Sequence, residues 1–262
     1  MLSDFTIIRH DFARCEGITI VPIADVHLGA AECMEDEFKE FIKKVAATPN
    51  MYLTLGGDLI NNGLRGSVGN PFDEKYRPSY QKQLMAEILE PVKDKILCGV
   101  GGNHEARSRK DSDTDITLDI FSKLNIEHLY RPSMAFCHIS FGLDEKCHRH
   151  NIHYCLGVTH GCGGGTLTGS SVNRNERFGM AIDGLDALIT GHTHKPVVSN
   201  PTKIKIDINH DKVSFAPFKV MTSSSWLNYG GYALNQMLLP ANQCAQTMFL
   251  NGETKEITIS MC

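Results

Sequence analysis

Ile18-Thr19-Ile20-Val21-Pro22-Ile23-Ala24 runs without a break into Asp25-Val26-His27. An apolar, β-rich run of this length reads as a strand covered on both faces, as in α/β proteins. The device recurs. Met51-Tyr52-Leu53-Thr54-Leu55 leads to Gly56-Gly57-Asp58, and Ile96-Leu97-Cys98-Gly99-Val100 leads to Gly101-Gly102-Asn103-His104-Glu105. Tyr154-Cys155-Leu156-Gly157-Val158-Thr159 leads to His160-Gly161, and Ala187-Leu188-Ile189-Thr190 to Gly191-His192-Thr193-His194.

Helices are expected between these runs. Phe38, Phe41, Ile42 and Val45 recur at helical spacing and give an apolar stripe from about Met34 to Ala47, stopped by Pro49. Leu84, Met85, Ile88 and Leu89 mark a second helix that ends near Pro91. Ile116, Ile120, Phe121 and Leu124 mark a third, with Ser112 or Asp113 as its N-cap. From Ala135 to Thr159 two strands flank a polar turn at Asp144 to Asn151. Past Pro196 the chain reads as mostly β: Lys203 to Ile208, Val213 to Met221, and a hairpin around Asn251-Gly252.

With 262 residues, 42% hydrophobic and 21% charged, the chain has the composition of a globular protein with one core. A single domain over 1–262 is expected, with the chemical pattern in 18–196 and a β-rich part in 197–262. No apolar run approaches the roughly 20 residues of a membrane helix. The first residues carry no basic-then-apolar leader, and nine cysteines do not form the paired framework of a small secreted scaffold. A cytoplasmic protein with reduced thiols is the expectation. A net charge of -4 gives no global footprint for nucleic acid.

In open α/β sheets ligands bind beyond the carboxyl ends of the strands. That rule brings Asp25, His27, Asp58, Asn103, His160, His192 and His194 to one edge. An oxygen and imidazole donor set without cysteine suits divalent Mn, Fe, Ni, Co or Zn. Seven donors exceed one four-ligand site and suit two metals sharing a carboxylate, for which Asp58 is the candidate.

The five blocks, D-x-H at Asp25, G-D at Gly57, G-N-H-E at Gly102, the lone His160 and G-H-x-H at Gly191, resemble the signature of the calcineurin-like metallophosphoesterase superfamily. All are present in order over Ile18 to Pro196. The resemblance implies an α/β fold with a β-sandwich core flanked by helices. It implies one metal on Asp25, His27, Asp58 and His194, and a second on Asp58, Asn103, His160 and His192. Manganese leads the candidate ions. The implied reaction is in-line attack on a phosphate ester by a hydroxide bridging the metals, with His104 as general acid or phosphate ligand and Glu105 orienting His104 or a ligand imidazole.

Arg107, with Asn103, is the candidate for substrate contact, since a guanidinium pairs with phosphate in bidentate fashion. Arg109, Lys110, Arg174 and Arg177 add local positive charge, which favours a phosphodiesterase, a nuclease-like one included, acting on a nucleotide or nucleic acid. The alternatives are a phosphomonoesterase and a non-catalytic interaction module of the same fold. The glycine-rich stretch His160 to Gly165 lacks a P-loop ending and reads as a flexible loop over the site. Cys137, His138, Cys147, His148, His150, His153 and Cys155 match no zinc spacing. Trp226 and Tyr229 are expected in core or subunit packing, and the C-terminal part is the candidate surface for self-association.

Overall fold

A computed structural model describes residues 4–12, 15–67, 69–142, 152–165, 167–241 and 243–261. The chain runs through β1 (Ile7–Phe12), β2 (Gly17–Ile23), α1 (Glu35–Ala47), β3 (Met51–Leu55), α2 (Pro78–Leu89) and β4 (Ile96–Val100). Next come α3 (Glu105–Ser112), α4 (Ile116–Lys123), β5 (Tyr130–Arg131), β6 (Met134–Phe141) and β7 (Ile152–Thr159). The remainder is α5 (Thr168–Met180), β8 (Ala187–Thr190), β9 (Val197–Ser199), β10 (Thr202–Asp207), β11 (Lys212–Pro217), β12 (Lys219–Thr222), α6 (Gly231–Asn235), β13 (Gln246–Asn251) and β14 (Ile257–Met261).

The apolar runs are strands, but they do not share one open sheet. β2, β3 and β4 lie in a sheet ordered β14-β13-β2-β3-β4-β5, while β7 and β8 lie in another ordered β1-β6-β7-β8-β12-β9. This is the α/β sandwich that the resemblance implies. The layers meet where β4 packs on β6 and β7. Hydrogen bonds cross between them, among them His10 Nε2 donating to the Leu97 carbonyl at 2.7 Å and the Tyr154 hydroxyl reaching the Asn251 carbonyl at 2.7 Å.

The C-terminal strands complete both layers, β12 and β9 in one and β13 and β14 in the other. α1 packs on β3, and α5 covers β8, β9 and β12. α1 buries Phe38, Ile42 and Val45 and carries Glu35, Asp36 and Glu37 in its first turn, where acidic side chains favour the helix N-terminus. It ends because Thr48, preceding Pro49, is forced into extended backbone. No helix among the described residues is long and apolar enough to cross a membrane.

Several local expectations change. The N-cap of α4 is Asp115, which accepts from Leu118 N–H at 3.1 Å, whereas Ser112 and Asp113 close α3. The strand expected from Val213 to Met221 breaks after Pro217, because proline cannot extend the ladder. β6 and β7 pair antiparallel as expected, and their connecting turn at 144–151 lies outside the described residues, as do Cys147, His148 and His150. Trp226 packs on Phe38 and Phe41, with ring centroids 5.0 and 5.3 Å away.

Candidate metal centre

Each of the five apolar strands ends in a sharp turn, and the turns interlock. Asp25 N–H donates to the Gly57 carbonyl at 3.0 Å, His27 N–H to the Asp58 carbonyl at 3.0 Å, and Gly191 N–H to the His160 carbonyl at 3.0 Å. Glycine is required at the closest approaches. A Cβ on Gly102 would lie 2.1 Å from Asp58 Oδ1, and one on Gly57, itself at φ +85°, would lie 2.5 Å from the Gly102 nitrogen.

The candidate donors converge in three groups: Asp25, His27 and His194; His27, Asp58 and His104; and Asp58, His160 and His192. Within each, the ligand atoms lie within 4.8 Å of one another. Asn103 joins the third group, its Oδ1 2.9 Å from His160 Nε2 and 2.7 Å from His192 Nδ1.

The two carboxylates divide their labour. Asp25 Oδ2 accepts from His192 N–H at 2.8 Å, tying one sheet's loop to the other's, while Oδ1 has no hydrogen bond although His194 Nε2 lies 3.2 Å away. Asp58 Oδ1 accepts from His104 N–H at 2.8 Å, and Oδ2 faces His160 Nε2 at 3.3 Å and His27 and His104 at 3.9 Å.

The backbone is bent to achieve this. Asp25, His27, Asp58, His192 and His194 all have φ between +48° and +70°. Left-handed backbone costs a non-glycine residue on the order of 1 kcal/mol and persists where surrounding contacts enforce it, commonly at functional sites.

The charges are equally strained. Burial alone raises the Asp58 carboxyl, but the hydrogen bond and charge of His160, with His27 and His104 beyond, hold it well below the usual carboxylate range. Burial lowers His160, yet Asp58 overcomes this and lifts the imidazole to about 10. Asp25 is likewise lowered by His194 against its burial, and His194 is raised by Asp25. His27, buried and facing His104, is pushed down to about 3. Burial and then the charge of His160 lower His192.

This arrangement fits divalent cations. Imidazole nitrogens face each other at 3.2 Å in two places, His27 with His194 and His160 with His192. Two buried acceptor-capable atoms, Asp25 Oδ1 and His27 Nδ1, have no hydrogen-bond partner. His160 Nδ1 is engaged by the Gly56 carbonyl at 2.8 Å, which turns Nε2 inward, the usual way a protein orients a metal-binding imidazole.

Glu105 orients neither His104 nor a ligand imidazole, contrary to the expectation. Its buried carboxylate accepts backbone N–H groups from both glycine turns: Asp58 and Gly102 at 3.0 Å on Oε2, Leu59 at 2.7 Å and Ile60 at 3.2 Å on Oε1. It fixes the backbone that carries Asp58. Burial and the charge of Asp58 raise it to about 7 against the pull of those N–H groups.

His104 and Arg107 form a unit. His104 Nδ1–H donates to the Asn61 carbonyl at 2.7 Å, which leaves Nε2 to accept from Arg107 Nη2 at 2.9 Å. Burial lowers His104, opposed by Asp58 and reinforced by Arg107. Two of the other basic residues turn elsewhere: Arg109 pairs with Asp115 and donates to the Tyr130 hydroxyl, and Arg174 donates to the Cys162 carbonyl. Asn62 was not foreseen. Its buried amide donates to the His104 carbonyl at 2.7 Å and to Ser108 Oγ at 3.0 Å, and an asparagine in a polar loop gives no sequence signal of that.

A family model described as calcineurin-like phosphoesterase matches residues 18–196. No curated protein matches the chain. Among solved structures, a conserved uncharacterized protein, a predicted phosphoesterase from Streptococcus pneumoniae TIGR4, is similar at 11% identity with a TM-score of 0.36, over 95% of this chain and 100% of that one. The NAD nucleotidase of Haemophilus influenzae is similar at 12% identity with a TM-score of 0.40, over 93% of this chain and 49% of its own. Neither likeness is close enough to bear on the chemistry.

Proposed function

Because the chain belongs to the calcineurin-like phosphoesterase family, metal-dependent hydrolases of phosphate esters, we propose that it is a phosphodiesterase working with two divalent ions, manganese first among them. The observation that carries this is the shared position of Asp58, which belongs to two of the three donor groups. Asp25, His27, Asp58 and His194 would hold one ion, and Asp58, Asn103, His160 and His192 the other. The nitrogen and oxygen donors suit Mn, Fe, Ni, Co or Zn. When bound, such ions supply a nucleophile at neutral pH and neutralise charge on the phosphate.

The chain's own side chains do the rest. Asn103, with Oδ1 turned to the imidazoles, keeps its amide N–H groups for a phosphate oxygen. Arg107 contributes the guanidinium, and His104 Nε2 is the atom that delivers a proton to the leaving oxygen. Nε2 accepts from Arg107 in the resting arrangement, so it takes up a proton only when the guanidinium turns toward phosphate. Substrate binding thereby loads the acid.

One guanidinium at the centre suits the single negative charge of a diester better than the two of a monoester. Since Arg109 and Arg174 are engaged elsewhere, the preferred substrate is nucleotide-sized rather than a long nucleic acid. A cytoplasmic setting with reduced thiols belongs to the same proposal. The test is turnover of bis-nitrophenyl phosphate and nitrophenyl phosphate by Mn²⁺-loaded protein. We expect the diester to be faster. The reverse order identifies a monoesterase, and no turnover with Mn, Fe, Ni, Co or Zn overturns the hydrolytic reading.

A further inference from the structure

The described residues between β3 and α2 form no regular element apart from one short 3-10 turn at Pro71–Asp73, so their backbone groups must find partners one by one. The peptide joining Asn61 to Asn62 meets the site. Its carbonyl accepts from His104 Nδ1 at 2.7 Å and from Arg107 Nη1 at 3.2 Å. Its N–H points the opposite way, because the unit is planar and trans, and donates to Gln81 Oε1 at 2.9 Å.

Glu74 reaches both flanks of this peptide. Its Oε1 accepts from Asn61 Nδ2 at 2.7 Å and from Gly63 N–H at 2.6 Å, and its Oε2 accepts from Gln81 Nε2 at 2.7 Å. The last bond, with a second from Gln81 Nε2 to the Tyr76 carbonyl at 2.6 Å, turns the buried Gln81 amide so that its oxygen is presented to Asn62. A Cβ on Gly63 would collide with the Glu74 carboxylate, so glycine at that position is what admits it.

The clamp opposes a flip of the peptide. Asn62 is held at φ +46°, in the left-handed region that asparagine tolerates at some cost. Rotating the peptide would return Asn62 to ordinary backbone and swing the Asn61 carbonyl away from His104. That movement has a chemical consequence, since the hydrogen bond made by one nitrogen of a neutral imidazole sets which of the two carries the proton. With the carbonyl in place the proton sits on Nδ1, and Nε2 accepts from Arg107 Nη2 at 2.9 Å. With the carbonyl gone the Nε2–H form becomes accessible, and it sets one donor against another at Arg107.

We propose that Glu74 is a positioning residue: through Asn61, Gly63 and Gln81 it holds the Asn61 carbonyl on His104 Nδ1, which keeps Nε2 open for the proton that the leaving oxygen needs. Its bearing on turnover rests on the reading of His104 as the residue that delivers this proton; its bearing on the tautomer does not.

Two variants test it. Glu74→Ala removes all three acceptor bonds, whereas the amide oxygen of Glu74→Gln still serves Asn61 and Gly63. Glu74 is half-buried in a loop, so both are expected to fold with unchanged far-UV circular dichroism. In metal-free, ¹⁵N-histidine-labelled protein at about pH 8, His104 is assigned by the signal that His104→Ala removes. Wild type and Glu74→Gln should show Nδ1–H and a bare Nε2, and Glu74→Ala a mixture of tautomers. With Mn²⁺ bound, Glu74→Ala should slow a diester with an alkyl leaving group by about 10- to 100-fold, the range typical of outer partners at such sites. Bis-nitrophenyl phosphate, whose leaving oxygen needs no proton, should slow by no more than about threefold. Glu74→Gln should recover most of the loss. A Glu74→Ala protein that keeps the Nδ1–H tautomer, equal losses on both esters, or a Glu74→Gln protein no better than Glu74→Ala overturns the proposal. A wild type without turnover on either ester overturns the hydrolytic reading instead, and the tautomer measurement then still decides whether Glu74 positions His104.

Discussion

At the strand ends the chain gathers two buried carboxylates and five imidazoles and bends five residues into left-handed backbone. On the ribbon that β10 and β11 form with each other it leaves Ile204, Ile206, Ile208, Val213 and Phe215 in water. Both regions depart from what folding alone favours, and each misfit has its own remedy. At the site the unmet need is positive charge among facing nitrogens and a bare carboxylate oxygen. On the ribbon it is apolar area. The difference teaches that a misfit is characterised by what would relieve it, a cation among facing nitrogens in one case and cover over apolar side chains in the other.

The contrast can be broken by substitution, and the largest effect is expected at Asp58. Asp58→Asn keeps the shape but removes the charge facing three imidazoles; turnover should fall by about 10³-fold or more, or ~4 kcal/mol. Metal content measured after dialysis should fall with it. Full activity and metal content in this variant would separate the site's strain from its chemistry.

His104→Ala should lose about 10²–10⁴-fold on diesters with alkyl leaving groups and far less on nitrophenyl esters, whose leaving oxygen needs no proton. Equal losses on both would assign His104 to phosphate binding instead. Glu105→Gln places an amide N–H2 against two of the four N–H donors that Glu105 accepts. A loss of ~2 kcal/mol in urea unfolding of the metal-free protein is expected; an unchanged midpoint would mean that the turns hold Asp58 without it.

The imidazole of His160, raised to about 10, keeps its proton at neutral pH in the metal-free protein. A cation at Nε2 must expel that proton, so affinity rises with pH, by up to about tenfold per unit for each proton displaced, until about pH 10. Calorimetry of Mn²⁺ binding at pH 8 in two buffers of different ionisation enthalpy counts the protons; none released would show that the His160 imidazole is already neutral in the metal-free protein. The smallest effect belongs to the ribbon. Ile206→Lys should change the stability of the chain by no more than about 0.5 kcal/mol, since the side chain has little contact to lose within its own chain.

The elements that the sequence missed share a cause. β1 carries Arg9, His10 and Asp11 on an edge strand and shows no apolar run. α3 buries Glu105 and Ser108 rather than a hydrophobic stripe. α5 buries Ser171, Asn175 and Gly179, and Asn175 bonds the hydroxyls of Thr190 and Thr222 at 2.9 and 3.1 Å. Periodicity cannot register a helix that packs through polar atoms. Likewise Glu105 was legible as a residue of the site, but its partners are backbone N–H groups from two turns, which no residue pattern encodes.

The sequence by itself determined which residues gather. Five apolar runs, each closing on Asp, Asn or His, fix the strands and place donors at their ends, because burial drives the runs inward and the polar residues must follow at the turns. Only the tertiary structure decided that these strands belong to two layers rather than one, and that each carboxylate gives one oxygen to the loops and the other to the centre. Those outcomes depend on distances between segments about 30 to 170 positions apart, set by the packing of one sheet on the other. The ribbon follows the same rule: Ile204, Ile206, Val213 and Phe215 announce an apolar face in the sequence, but which way it looks was settled by Lys203 reaching back to the end of α5.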